Sequence, residues 1–122
     1  MQVFGVDNRD STRWQERGLE HGYVRARLRL LTTEQGGRRT PIISGYRSCW
    51  GFPPELHGDM HDGPLLIERQ EALAPGEVAI VRLHPLVPDL WPRVSEGLRL
   101  GMFEGPRKVG DAVVIEVVAP AR

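Results

Sequence analysis

An all-β fold, an antiparallel barrel or sandwich, is what the sequence predicts, on three observations: strict alternation, regular turn punctuation and a well-formed hairpin signal. The alternation is clearest in Tyr23-Val24-Arg25-Ala26-Arg27-Leu28-Arg29-Leu30. Val24, Ala26, Leu28 and Leu30 fall on one face, and Tyr23 with three arginines falls on the other, which is the period of two of a half-buried strand. Six strands are expected, at 23–30, 42–52, 64–68, 77–84, 98–104 and 107–118. Gly36-Gly37, Pro53-Pro54, Pro75-Gly76 and Gly105-Pro106 punctuate them, and several short strands between such turns point to a barrel or sandwich.

The hairpin signal is Glu104-Gly105-Pro106-Arg107. A type II′ turn needs positive φ at its first central position, which glycine supplies, and φ near that of proline at its second. The strand after it carries Ala112-Val113-Val114-Ile115-Glu116-Val117-Val118, a β-branched run that suits a strand covered on much of both sides. Helix signals are few. In Asp10-Ser11-Thr12-Arg13-Trp14-Gln15-Glu16-Arg17-Gly18, Thr12 and Gln15 have capping-box spacing and Gly18 is a candidate stop. The chain therefore divides into an N-terminal extension, 1–22, and a β-barrel domain, 23–122.

The chain has 122 residues, enough for one core without a disulfide or a metal. No apolar run reaches the ~18 residues that cross a bilayer, and the first residues lack a secretory pattern. One cysteine, Cys49, forms no internal disulfide and fits a reducing compartment, so a cytoplasmic location away from the membrane is expected. Net charge is zero but uneven: residues 1–47 carry nine Arg against five acids, and 48–122 carry seven basic residues against eleven acids. Of the sixteen basic residues only Lys108 is lysine. A GC-rich genome produces that bias, and guanidinium groups that fork onto phosphates would exploit it.

Glu34-Gln35-Gly36-Gly37-Arg38-Arg39-Thr40-Pro41-Ile42-Ile43-Ser44-Gly45-Tyr46-Arg47 resembles a signature of the third domain of bacterial elongation factor Tu: E-G-G-R-H-T-P, two apolar residues, one residue, then G-Y-R. Three more blocks follow in the family's order. Ala74-Pro75-Gly76-Glu77 resembles its M-P-G-D turn, Gly97-Leu98-Arg99-Leu100 its G-L-R-F, and Glu104-Gly105-Pro106-Arg107-Lys108-Val109-Gly110 its E-G-G-R-T-V-G. The blocks span roughly residues 24 to 118. The resemblance implies a closed six-stranded antiparallel β-barrel with no cofactor and no catalysis. It implies a translation-associated module that contacts a tRNA-like or other structured RNA. The family's GTP chemistry lies in another domain, and no G-x-x-x-x-G-K-[ST] loop occurs here.

The resemblance places RNA contact on the loop of Arg38, Arg39 and Thr40 and on the turn of Glu104 and Gly105, with Arg107 and Lys108 adjoining. Arg47 joins them from the basic cluster of residues 24–47, which holds six Arg against Glu34 alone. Arg39 stands where the family has histidine, Cys49 where it has glutamine, and Pro106 where it has a second glycine. Arg25, Arg27 and Arg29 form a stripe that either tracks a phosphate backbone or is a solvated outer face. A second functional reading is a protein-interaction or decoy module that binds an exchange factor, an inhibitor or a toxin, with Trp91, between Pro88 and Pro92, as its anchor.

Two further clusters have bland explanations. His57-Gly58-Asp59-Met60-His61-Asp62 offers metal-ligand types, with His84 and Asp89 needed to complete a set, but a turn-rich loop accounts for its composition. Cys49 would need a base such as His57 or His61 to act as a nucleophile, whereas a cysteine beside Trp50 in a strand is ordinarily buried packing. No metal and no catalytic residue are expected.

Overall fold

A computed structural model of the chain describes residues 8–53 and 60–121. It is mostly β, an antiparallel sheet curled into a half-barrel, with one helix outside it. The strands are β1 (Tyr23–Leu30), β2 (Ile42–Ile43), β3 (Cys49–Gly51), β4 (Met60–Asp62), β5 (Leu65–Ile67), β6 (Ala72–Leu73), β7 (Val78–Leu83), β8 (Arg99–Glu104) and β9 (Arg107–Val118). Seven of them form one sheet in the order β4-β3-β8-β9-β1-β7-β5, and β2 pairs with β6.

The alternation in β1 is borne out. Val24, Ala26, Leu28 and Leu30 are buried, and β1 lies at the centre of the sheet, antiparallel to β7 and β9. Its core face meets Ala79, Val81 and Leu83 of β7, Ala112 and Val114 of β9, and the fully buried Trp50. Two bulges help curl the sheet, one between Arg25 and Ala26 against β9 and one between Met102 and Phe103 against β9. Each leaves one strand a residue longer than its partner and increases local twist. The expected hairpin joins β8 to β9, with Glu104 opposite Arg107 and Gly105 at φ +58°.

Two expectations about the strands need correction. The expected strand 42–52 is two short strands, because Gly45 takes φ +92° and the Tyr46 N–H closes a turn on the Ile43 carbonyl at 3.1 Å. The expected closed, six-stranded ladder is instead a seven-stranded ladder whose edges are β4 and β5 among the described residues. Those edges are not bare. The Gly45 N–H donates to the Leu65 carbonyl at 2.7 Å, the Leu65 N–H to the Tyr46 carbonyl at 3.1 Å, and the Gly63 N–H to the Ser48 carbonyl at 2.9 Å.

Helix α1 (Asn8–His21) is longer than its sequence signal. Gly18 does not end it; Gly22 does, at φ +76° with its N–H on the Gly18 carbonyl at 2.8 Å. Gly18 sits inside the helix because the helix must approach the sheet closely there: a Cβ on it would lie 2.9 Å from the Tyr23 ring. Trp14 fixes the helix by packing on Leu66 and Leu86, so α1 covers the outer face of β5 and buries Leu66 between two layers.

Candidate functional site

The loop after β1 is built by its own sequence. Thr32 caps a short 3-10 turn, Thr33–Gln35: its hydroxyl accepts from the Gln35 N–H at 3.1 Å, and its N–H donates to Gln35 Oε1 at 2.9 Å. Gly36 then takes φ +90°, and Gly37 passes so near the backbone that a Cβ would lie 2.4 Å from the Leu31 carbonyl oxygen. Only glycine fits both demands. The Thr33 hydroxyl donates to the Arg38 carbonyl at 2.6 Å. Arg38 turns back on its own loop, with Nε on the Thr40 carbonyl at 3.2 Å and Nη2 on the Thr40 hydroxyl at 3.1 Å.

This loop meets the β8–β9 turn, more than sixty residues away in sequence. Arg38 Nη1 and the Tyr46 hydroxyl both donate to Glu104 Oε2, and Arg107 Nη2 donates to Glu104 Oε1 at 3.3 Å. The Arg38 guanidinium also lies 5.0 Å from the centre of the Tyr46 ring. Burial raises the Tyr46 phenol above its ordinary range, although Arg38 and Arg107 oppose the shift. The phenol therefore remains a donor at neutral pH. Arg38, Arg39, Thr40, Glu104 and Arg107 line an open cavity of ≈ 340 Å³.

Five of the eight sequence-chosen residues thus come together. Gly105 shapes the turn at the rim. Lys108 faces Asp111 instead, with Nζ 2.5 Å from Oδ1. Arg47 is not part of this cavity: it pairs with Asp62 at 3.6 Å and lines a different groove with Trp91 and Leu86. Trp91 is half-buried, edge-on to Phe52 at 5.2 Å, so its ring belongs partly to the core.

The arginine stripe of β1 is not an open track. Arg25 forks onto both oxygens of Glu68 at 2.8 and 3.0 Å and reaches Glu116 at 2.9 Å, and Arg82 donates to Glu68 at 3.0 Å. Burial alone would raise the Glu68 carboxyl, but the hydrogen bonds from Arg25 and Arg82 outweigh it and hold the group below its usual range. Arg29 lies 3.8 Å from Asp111, and Arg27 stands between Ile80 and Val113 on the neighbouring strands.

His57 and Asp59 lie outside the described residues. Their neighbour His61 stacks edge-on to Phe52 at 5.4 Å, and no group of three metal-binding side chains occurs among the described residues. His84 does not converge on His61. It is 2% exposed beneath α1, between Trp14 at 5.4 Å and Tyr23 at 5.5 Å, with neither ring nitrogen hydrogen-bonded among the described residues. Burial, with Arg82 and Arg17 nearby, pushes its pKa down to about 4. Cys49 faces Asp62, and burial followed by that carboxylate raises its thiol, the opposite of what an activated nucleophile needs.

Sequence reasoning missed the Glu68 network and the cage around His84. The helix half of that cage was signalled by Trp14, Arg17 and Gly18 at helical spacing i, i+3, i+4. Glu68 carried no such local signal. No protein-family model matches the chain.

Proposed function

We propose that the chain is a non-catalytic, translation-factor-like binding module that contacts a tRNA-like RNA stem. It would be a relative of the third domain of elongation factor Tu. One observation carries the reading: the Arg38-Arg39-Thr40 loop and the Glu104–Arg107 turn, matched on sequence as separate blocks, line one cavity. Three guanidiniums there face one carboxylate, whose two oxygens already hold Arg38, Tyr46 and Arg107. Arg39 is exposed and makes no ion pair among the described residues, which leaves it for phosphate. An A-form stem presents backbone phosphates and 2′-hydroxyls to such a surface, and an arginine fork matches a phosphate's oxygens.

The test is to recover tagged protein from native lysate with and without ribonuclease. RNA of tRNA size, present only without ribonuclease and lost with Arg38→Ala/Arg39→Ala, is the expected result. Absence of RNA together with a protein that survives ribonuclease would overturn it. That outcome belongs to the second reading, a protein-interaction module, which one observation favours: Val87 and Leu90, beside Trp91, are 51% and 67% exposed.

A further inference from the structure

Two cavities on the α1 side of the molecule share a wall formed by Arg47 and Leu86. One, ≈ 300 Å³, lies between Arg13 and Trp14 of α1 and Gly45 and Pro64 of the sheet edge. The other, ≈ 250 Å³, continues past Val87 and Leu90 to Trp91. Together they make a groove with two different ends. At the α1 end stand two guanidiniums. Arg13 lies over the Trp14 ring at 5.3 Å, and Arg47 has a side chain 70% exposed, whose one ion pair among the described residues is with Asp62 at 3.6 Å. An ion pair that open to water exchanges readily for a better partner. At the other end Val87, Leu90 and Trp91 make an aliphatic and aromatic surface, with His61 and the carboxylate of Asp62 on the wall beside Arg47.

The groove's shape is fixed rather than incidental. Arg17 Nη2 donates to the carbonyls of Pro85 and Leu86 at 2.8 and 3.0 Å, tying α1 to the segment that forms the shared wall. Gly63 lets Trp91 close over the sheet edge, since a Cβ there would lie 2.7 Å from the indole.

We infer that this groove docks an acidic peptide segment of a protein partner. Its carboxylates fork onto Arg13 and Arg47, and a large apolar side chain packs on Leu90 and Trp91. The charged end gives charge-assisted hydrogen bonds and orientation, and the apolar anchor gives most of the affinity. The proposal rests on the second reading above and gives it a place and a chemistry. It uses none of the residues of the loop–turn cavity.

The test is selection from a random heptapeptide phage library on the purified full chain. The recovered peptides are expected to combine Asp or Glu with Leu, Phe or Trp. A synthetic copy of the strongest is expected to bind about tenfold more weakly to Arg13→Glu/Arg47→Glu and, separately, to Leu90→Asp. All three residues are exposed, so circular dichroism should show the variants folded. Peptides that bind every variant equally would overturn the groove while leaving a protein-binding module standing. A library that yields no such peptides, or a chain that instead self-associates through Leu90 in sedimentation, would overturn the acidic occupant, whereas the reading it rests on falls if the ribonuclease-treated lysate yields no protein partner.

Discussion

At the scale of the residue, the outer face of the sheet is organised by one carboxylate. Glu68 is 8% exposed and receives both Arg25 and Arg82, so it joins β1 to β7 beyond their ladder. Removing one partner of a buried pair leaves the remaining charges unsatisfied. Glu68→Gln is expected to cost about 3 kcal/mol in denaturant unfolding at neutral pH, and a loss under about 1 kcal/mol would show the network to be ornamental. His84 gives a separate, pH-dependent prediction. Its folded pKa is about 4 against an ordinary 6.5, so the fold holds the neutral ring. Stability is then full above pH 6.5 and falls as the unfolded chain takes up a proton that the folded one refuses, by about 1.4 kcal/mol per pH unit down to about pH 4. Glu68 is depressed, so its contribution is present above its ordinary value of 4.5 and is lost as pH falls through its still lower folded value. The interval from pH 6.5 to 5 therefore isolates histidine. Thermal melts of His84→Phe should show a shallower slope there than the parent; an unchanged slope would assign it elsewhere.

At the scale of the element, α1 depends on two glycines with opposite roles. Gly18 permits close approach, and Gly22 permits the left-handed end that hands the chain to β1. A Cβ on Gly22 would lie 2.4 Å from the Val118 carbonyl oxygen, in a backbone region that costs an L-residue about 1 kcal/mol before any clash. Gly22→Ala should destabilise the fold by about 2 kcal/mol or more, read by chemical denaturation, and an alanine tolerated without loss would contradict the packing described. Much of this level was legible in the sequence. The alternation of β1 was long enough to fix its bounds, and Gly105-Pro106 marked the β8–β9 turn. α1 was read short because Gly18 looks like a stop when the sheet it packs against is unknown. The 42–52 run was read as one strand because the sequence does not say that Gly45 takes positive φ. β4 and β6 span three and two residues, too few for any period to register.

At the scale of the whole molecule, the sheet brings distant pieces together, and there the sequence was read with least precision. Arg38 and Glu104 were chosen from separate blocks and proved to be partners. Arg47, only nine residues from Arg38 in the same block, faces another groove because Gly45 turns the chain between them. The arginine stripe looked open because Glu68 and Glu116, which cover Arg25, lie 43 and 91 residues away. Of the stripe, Arg27 alone is exposed without an ion pair among the described residues, so we place the proposed nucleic-acid contact at the loop–turn cavity rather than along β1. That makes the proposed RNA contact local and dependent on few residues, Arg39 first among them.

The most direct measurement is fluorescence anisotropy of a labelled tRNA-like stem against the protein and against Arg39→Ala, from about 50 to 200 mM salt. The account predicts that affinity falls steeply with salt for the parent. For Arg39→Ala it predicts weaker binding and a log–log slope shallower by about one, the loss of one phosphate contact. No binding at low salt, or a slope that Arg39→Ala leaves unchanged, would contradict it.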